Sequence, residues 1–341
     1  MKLQLRLFFK ATASIFVACI SGCAPSVKDR DPGATYFMIP WPNAAHEIII
    51  QNVKVNTMTK ISRIDGKAAR FLIAPSDHKK RLKGFAPKAR YSVTADKVVI
   101  PTDLQTTQLF TLYAHMEKLA AFDKKAGSYS LLSWPRTIGV AANVPIVRAN
   151  NAVYSGALDA ILFVPYTRNN TAMYLNPGII AHEHFHAIFT SAFINPLKLA
   201  NKFPDEEETA HSTDSFADVF EIPSLKRNGR GKPVDPYELY HITLYRGMNE
   251  GLADVWAWFY TNDPNFLAKS LPEALQSRSL AAKPVRVMDQ TTIYNRLFGV
   301  ELANSLAYQL GNQYARVFKA WTELLAREKN LPLKEMKLLM A

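Results

Sequence analysis

GIIAHEHFHAIF, residues 178–189, is the stretch on which the reading of this 341-residue chain turns. It sets three histidines and a glutamate among Gly, Ile, Ala and Phe. Asn176 can cap a helix here and Pro177 suits its first turn, so a short apolar helix is expected. Such a helix packs inside a fold, and polar groups buried with it require partners. Residues four apart on a helix lie one turn above each other. His182 and His186 therefore share a face, and Glu183 sits beside it. His184 points the other way, roughly 160° around from either of them, and is expected to be a partly buried histidine bonded to backbone.

His182, Glu183 and His186 thus make HExxH, a spacing that lets two imidazoles converge on one metal ion while the glutamate reaches a water on that ion. A catalytic site of this kind needs a third protein ligand and keeps a position open for water. GMNEGLADVWAWF, residues 247–259, supplies a candidate. Glu250 can ligate the metal, and Asp254, one turn later, can hold a ring nitrogen of His182 in the way that carboxylates orient metal-bound histidines. Met248, Leu252, Val255 and Trp256 around them argue for burial, and a buried carboxylate requires a partner.

Outward from this centre the chain reads as α+β. EIIIQNVKVN, KISRI, ARFLIA and YSVTADKVVIP have strand character, with Asp65-Gly66 as a hairpin turn signal. Asp103 is placed to cap a helix in which Leu109, Leu112, Tyr113, Met116, Leu119 and Ala120 recur until Gly127. After residue 240 the pattern is helical: Tyr245 to Tyr260, then about Arg296 to Glu328, with Leu302, Leu306, Leu310, Val317, Trp321 and Leu324 as a buried stripe. The expected organisation is a leader over 1–22, a tether over 23–35, a strand-rich lobe carrying the HExxH helix over 36–189, an insertion over 190–240 and a helical lobe over 241–341. The acidic run Asp205 to Glu208 is a possible calcium ligand set, with a solvated loop as its ordinary reading.

The leader has Lys2, Arg6 and Lys10 around an apolar run too short and interrupted to span a bilayer comfortably. Its end, ISGC at residues 20–23, resembles a bacterial lipobox, which implies lipidation of Cys23 as the mature N-terminus and anchoring to the cell envelope. Ala24, where an aspartate is the usual inner-membrane signal, points to the outer membrane. The chain has 2 cysteines, Cys19 and Cys23. Losing the leader leaves Cys23 alone, so the mature domain cannot use an internal disulfide. The formal net charge of +12 is scattered, apart from DHKKRLK and SLKRNGRGK, and no nucleic-acid motif accompanies it.

NNAVYSG, residues 150–156, HExxH and NEGLAD, residues 249–254, occur in the order found in one family. With them the chain resembles the thermolysin and fungalysin group of gluzincin zinc metallopeptidases, patchily from about Leu104 to Leu325. The resemblance implies a zincin fold and a Zn2+ ion held by His182, His186 and Glu250. It implies that Glu183 acts as general base toward water and then passes the proton to the leaving amine. It also implies that the edge at Asn151 and Ala152 aligns an extended protein or peptide substrate by strand addition, with the Asn151 side-chain oxygen available to the new amine. The family stabilises the oxyanion with a tyrosine before the ligand glutamate and a late histidine. This chain has no histidine after His241, so Tyr294 and Arg296 are the expected donors there, and Tyr240 or Tyr245 the earlier tyrosine. Arg278, in QSRSL, loosely matches the family's arginine for a substrate carbonyl, against the ordinary expectation of a surface arginine. Two other functions share these residues: a weakly catalytic or non-catalytic zinc-binding lipoprotein for envelope assembly or partner binding, and a hydrolase of peptidoglycan peptides.

Overall fold

A computed structural model describes residues 35–77, 81–142, 150–196, 236–272, 277–297 and 303–341. The leader, Cys23 and most of the tether, residues 197–235 with Asp205 to Glu208, and Leu302 lie outside the described residues. In chain order the described elements are strands β1 (Thr35–Pro42), β2 (Ile48–Val55), β3 (Met58–Lys60), β4 (Asp65–Gly66), β5 (Ala69–Asp77), β6 (Leu82–Phe85), β7 (Tyr91–Val93) and β8 (Val98–Pro101), helix α1 (Leu104–Ala126), strands β9 (Arg136–Val140), β10 (Ala152–Ser155) and β11 (Ala160–Phe163), then helices α2 (Pro177–Phe189), α3 (Pro236–Thr261), α4 (Gln290–Leu297), α5 (Ala303–Glu328) and α6 (Leu333–Met340). The chain is therefore mixed α+β, as its pattern suggested, with β1 to β8 first, the 23-residue α1 between them and β9 to β11, and the remaining helices after.

One sheet has the order β2-β1-β8-β7 and a second the order β10-β11-β9-β5-β6. In the second, β9 lies parallel to both β5 and β11, a pairing that needs a long crossover. Helix α1 lies in that crossover. Asp103 caps it by accepting from Thr106 N at 2.7 Å, and Gly127 at φ 84° closes it in the left-handed region. Leu109, Leu112, Tyr113, Met116 and Leu119 are buried along it, in one core with Phe37, Phe71, Ile138, Ile161, Ile180 and Phe189 from both sheets and α2. Burial of such side chains stabilises the fold by about 1.5–3 kcal/mol each. Strand β10, which contains the NNAVYSG segment's Ala152–Ser155, is an edge of its sheet and packs on α2.

Three local expectations are corrected. Asp65-Gly66 is not a turn but β4, paired with β3. The chain reverses instead through a short 3-10 turn, Ile61–Arg63, and Ile64 at φ 52°, so KISRI is not a strand throughout. Gly66 has a packing reason: a Cβ there would overlap the Tyr113 hydroxyl and the Thr57 carbonyl. The helix expected from Arg296 to Glu328 is two, α4 and α5. Its stripe is buried only at the start, with Leu306 and Leu310 fully covered but Val317, Trp321 and Leu324 exposed. Val317 and Trp321 flank an apolar groove of about 760 Å³ opposite Leu244, Met248 and Leu252 of α3.

Helices α3 and α5 approach through glycines. A Cβ on Gly251 would stand 2.5 Å from the Gly311 carbonyl oxygen, and one on Gly311 would stand 2.8 Å from that of Gly247. Backbone cannot yield as a side-chain tip can. Gly251→Ala is therefore expected to lower stability by about 1–3 kcal/mol through overpacking, despite the higher helix propensity of alanine, read as a lowered midpoint in urea unfolding.

Candidate metal centre

Every residue of α2 is buried, including His182, Glu183, His184 and His186. Asn176 caps the helix by accepting from Gly178 N at 3.0 Å and Ile179 N at 3.4 Å, and Pro177 occupies its first turn, as the sequence indicated. Four polar side chains on a helix hidden all round must each find a partner in the interior.

His182 finds two carboxylates. Its Nδ1 is 2.9 Å from Asp254 Oδ1, and its Nε2 is 3.3 Å from Glu250 Oε2. Burial would lower its pKa, but the hydrogen bonds and charges of Asp254 and Glu250 outweigh burial and raise it from 6.5 to about 9. His186 turns its Nδ1 to Asn249 Oδ1 at 3.0 Å. Its Nε2 lies 3.1 Å from His182 Nε2 and 3.8 Å from Glu250 Oε1.

The donor chemistry of this group decides what it can hold. A carboxylate and an amide oxygen only accept, so the protons of the two neutral imidazoles belong on their Nδ1 atoms. Both Nε2 lone pairs then face each other and the Glu250 carboxylate. Three acceptors aimed at one point repel unless a cation lies among them, either a metal ion or the proton that the raised pKa of His182 retains when no metal is held. His182, His186 and Glu250 are a buried group that could hold a metal ion, with ligand atoms all within 4.8 Å of one another. Asp254 and Asn249 fix the two rings from behind. Asp254→Ala or Asn249→Ala should therefore weaken metal binding about 10- to 100-fold, measured by competition with a chelator.

Arg278 is not at the surface. It is buried, and its Nη2 donates to Asp254 Oδ1 at 2.9 Å and to Glu250 Oε2 at 3.3 Å, with Nε 3.4 Å from Asp254 Oδ2. Burial would raise the Asp254 carboxyl, yet the Arg278 charge and the His182 hydrogen bond hold it below its ordinary range. One guanidinium thus fixes both Glu250, the candidate third ligand, and Asp254, the carboxylate beside His182 Nδ1.

His184 is also corrected. It is fully buried and bonds not to backbone but to a side chain, Asp123 Oδ2 of α1, 2.8 Å from its Nε2. It faces away from the metal group, as the helical angle required. Asn151 is buried, and its Oδ1 accepts from Ala152 N at 2.8 Å, so that oxygen is engaged in the turn into β10.

Of the residues expected to stabilise an oxyanion, Tyr294 stacks on Tyr240 with centroids 4.9 Å apart, and Arg296 donates to Gln309 at 2.7 Å. These contacts tie both to the packing of α4 on α3 and α5. Tyr245 lies against Phe189 at the end of α2, centroids 5.0 Å apart, and lines the apolar groove. A tyrosine outside the sequence expectations lies against Arg278. Tyr308 of α5 carries the Arg278 guanidinium over its ring, 4.8 Å from the centroid. Burial first, then the charges of Glu250 and, more weakly, Glu183, push its hydroxyl well above the usual 10, while Arg278 and Arg246 pull the other way. Its sequence signal was slight, a tyrosine three residues before Gly311 in an apolar stripe. Asn249 was visible as the first letter of NEGLAD without a role attached.

Comparisons of the chain with protein-family profiles, with curated proteins and with solved structures find no match.

Proposed function

We propose that this chain is a zinc-dependent peptidase of the gluzincin kind, in the zincin fold. The observation that carries the reading is the convergence of His182 Nε2, His186 Nε2 and the Glu250 carboxylate, with both ring Nδ1 atoms engaged from behind by Asp254 and Asn249. Two imidazoles and a carboxylate with an adjacent glutamate are the donor set of catalytic zinc. A tetrahedral ion bonded at about 2.0–2.1 Å separates its ligand atoms by roughly 3.3 Å; the two Nε2 atoms are 3.1 Å apart, and each has a different Glu250 oxygen near it, Oε2 at 3.3 Å from His182 and Oε1 at 3.8 Å from His186. When bound, zinc supplies Lewis acidity to a carbonyl and lowers the pKa of water.

The chain's own groups do the rest. Glu183, buried beside His182, takes a proton from the attacking water and returns it to the leaving amine. The edge of β10 receives an extended peptide as an added strand, its backbone groups bonding the peptide backbone near Asn151 and Ala152. The position of β10 at a sheet edge against α2 supports this. ISGC supports anchoring through lipidated Cys23 in a bacterial envelope, on the outer membrane from Ala24. Among the described residues no helix is long and apolar enough to cross a membrane.

Metal analysis of the purified chain together with a cleavage profile on casein tests the reading. One equivalent of zinc, lost with peptide cleavage on chelation and restored together with it, is the expected result; a zinc-loaded chain that cleaves no peptide refutes it. Separately, Cys23→Ala should move the protein from the membrane to the soluble fraction after cell breakage.

A further inference from the structure

The last helix, α6, packs on α5, α3 and α1 and sends a lysine inward. Lys337 is 3% exposed, although a long amine ordinarily reaches water. Its Nζ donates to Asn262 Oδ1 at 2.6 Å and to Trp258 O at 3.3 Å, both at the C-terminal end of α3, and lies 3.8 Å from the centroid of the Trp258 indole. A neutral amine has two N–H bonds and an ammonium three, so these two oxygens suffice for the neutral form.

No charge around the amine favours the ammonium strongly. From α5, Lys319 lies over the same indole, 5.3 Å from its centroid, and holds Glu323 at 2.6 Å. From α3 come the neutral Trp258 and Asn262, and Asp263 beyond them is bonded to Lys269 at 2.6 Å. From α1, Lys118 acts on Lys334 of α6. Removing an amine from water favours its neutral form. Burial first, then the Lys319 charge, lower the Lys337 pKa from 10.5 to about 7, while Glu323 pulls the other way.

We propose that α6 is a strap whose hold on α3 is set by the charge of Lys337, firm while the amine is neutral and loosened when docking must enclose a proton. A released α6 leaves Lys337 in water at its ordinary 10.5, so between there and about 7 the docked state carries fewer protons than the released one. Docking therefore weakens as pH falls through that window, by up to about tenfold in its equilibrium per pH unit. Below about 7 the amine is charged in both states and the dependence ends. Leu333 and Met340 of α6 pack on Val255, Trp258 and Phe259, so release uncovers α3 one turn beyond Asp254. The proposal does not depend on the peptidase reading.

Amide exchange across residues 333–340 of the full chain, corrected for intrinsic rates and read by mass spectrometry, measures this local opening. In the parent, protection should fall by up to about tenfold per pH unit from about pH 9 to about pH 7, then level off. Lys337→Met removes the amine and should show one protection at every pH, above the parent's at neutral pH. Lys334→Met, on the exposed side of the same helix, should keep the parent's slope. If Lys337→Met does not fold, Lys337→Gln is read in the same way, and the Lys337 side-chain NMR signal of the parent reports its ionisation directly. Parallel profiles in parent and Lys337 variant, or a Lys337 signal that titrates at the ordinary value, overturn the proposal.

Discussion

Glu183→Gln is expected to keep the metal and lose hydrolysis. The amide has the size of the carboxylate and cannot accept the proton of an attacking water. General base catalysis contributes about 10²–10⁴-fold, so kcat should fall by that factor with KM almost unchanged. Metal affinity should stay, because the converging acceptors are His182, His186 and Glu250, and Glu183 is not one of them. His186→Ala gives the contrasting pattern: it removes one acceptor, and metal content and activity fall together. Peptide turnover measured beside metal stoichiometry separates the two. If Glu183→Gln retains more than a tenth of the parent's kcat, Glu183 is not the base. If it loses its metal as well, the group has been assembled wrongly from the outset.

What the sequence made legible was what local geometry determines. Residues four apart on a helix meet on one face whatever the surrounding fold, so the pair His182 and His186, and the pair Glu250 and Asp254, could be read from spacing. The caps Asp103 and Asn176 were equally local, since the side-chain oxygen of each accepts from the first turn of its own helix; that the Asn176 amide also donates to Phe266 O and Ser270 Oγ was not. Two pairings depended instead on how helices cross. Arg278 is separated by 24 residues from Asp254, and Asp123 by 61 from His184; nothing in either neighbourhood names the partner. Helix α5 comes within reach of Glu250 because Gly247, Gly251 and Gly311 let two backbones touch. Tyr294 and Arg296 looked suitable as donors by residue type and position, but α4 spends them on packing. The stripe through Val317 and Trp321 had helical period without burial, since period gives the face of a helix and not what covers it.

Replacing Asp123 by alanine should cost about 3–5 kcal/mol of stability, the range for breaking a buried pair by removing one partner. Asp123 and His184 are both fully buried, and their contact joins the last turn of α1 to the middle of α2. A carboxylate near a helix C-terminus faces the negative end of the helix dipole, so Asp123 depends on His184 more than an exposed aspartate would. The imidazole left behind in Asp123→Ala would be shut away from water with a ring nitrogen stripped of its acceptor. His184→Ala leaves the converse, a buried carboxylate opposite a cavity. The double variant Asp123→Leu with His184→Leu removes both polar groups and keeps apolar volume, and it should be less destabilised than the sum of the two single leucine variants. Urea unfolding of the four proteins gives the coupling directly. A metal titration on the same samples carries the second half of the argument: His184 points away from His182 and His186, so the folded fraction of every variant should still bind metal. Additive losses would show that the pair does not act as a unit, whereas loss of metal at full folding would bring His184 back into the centre from which its helical angle removes it.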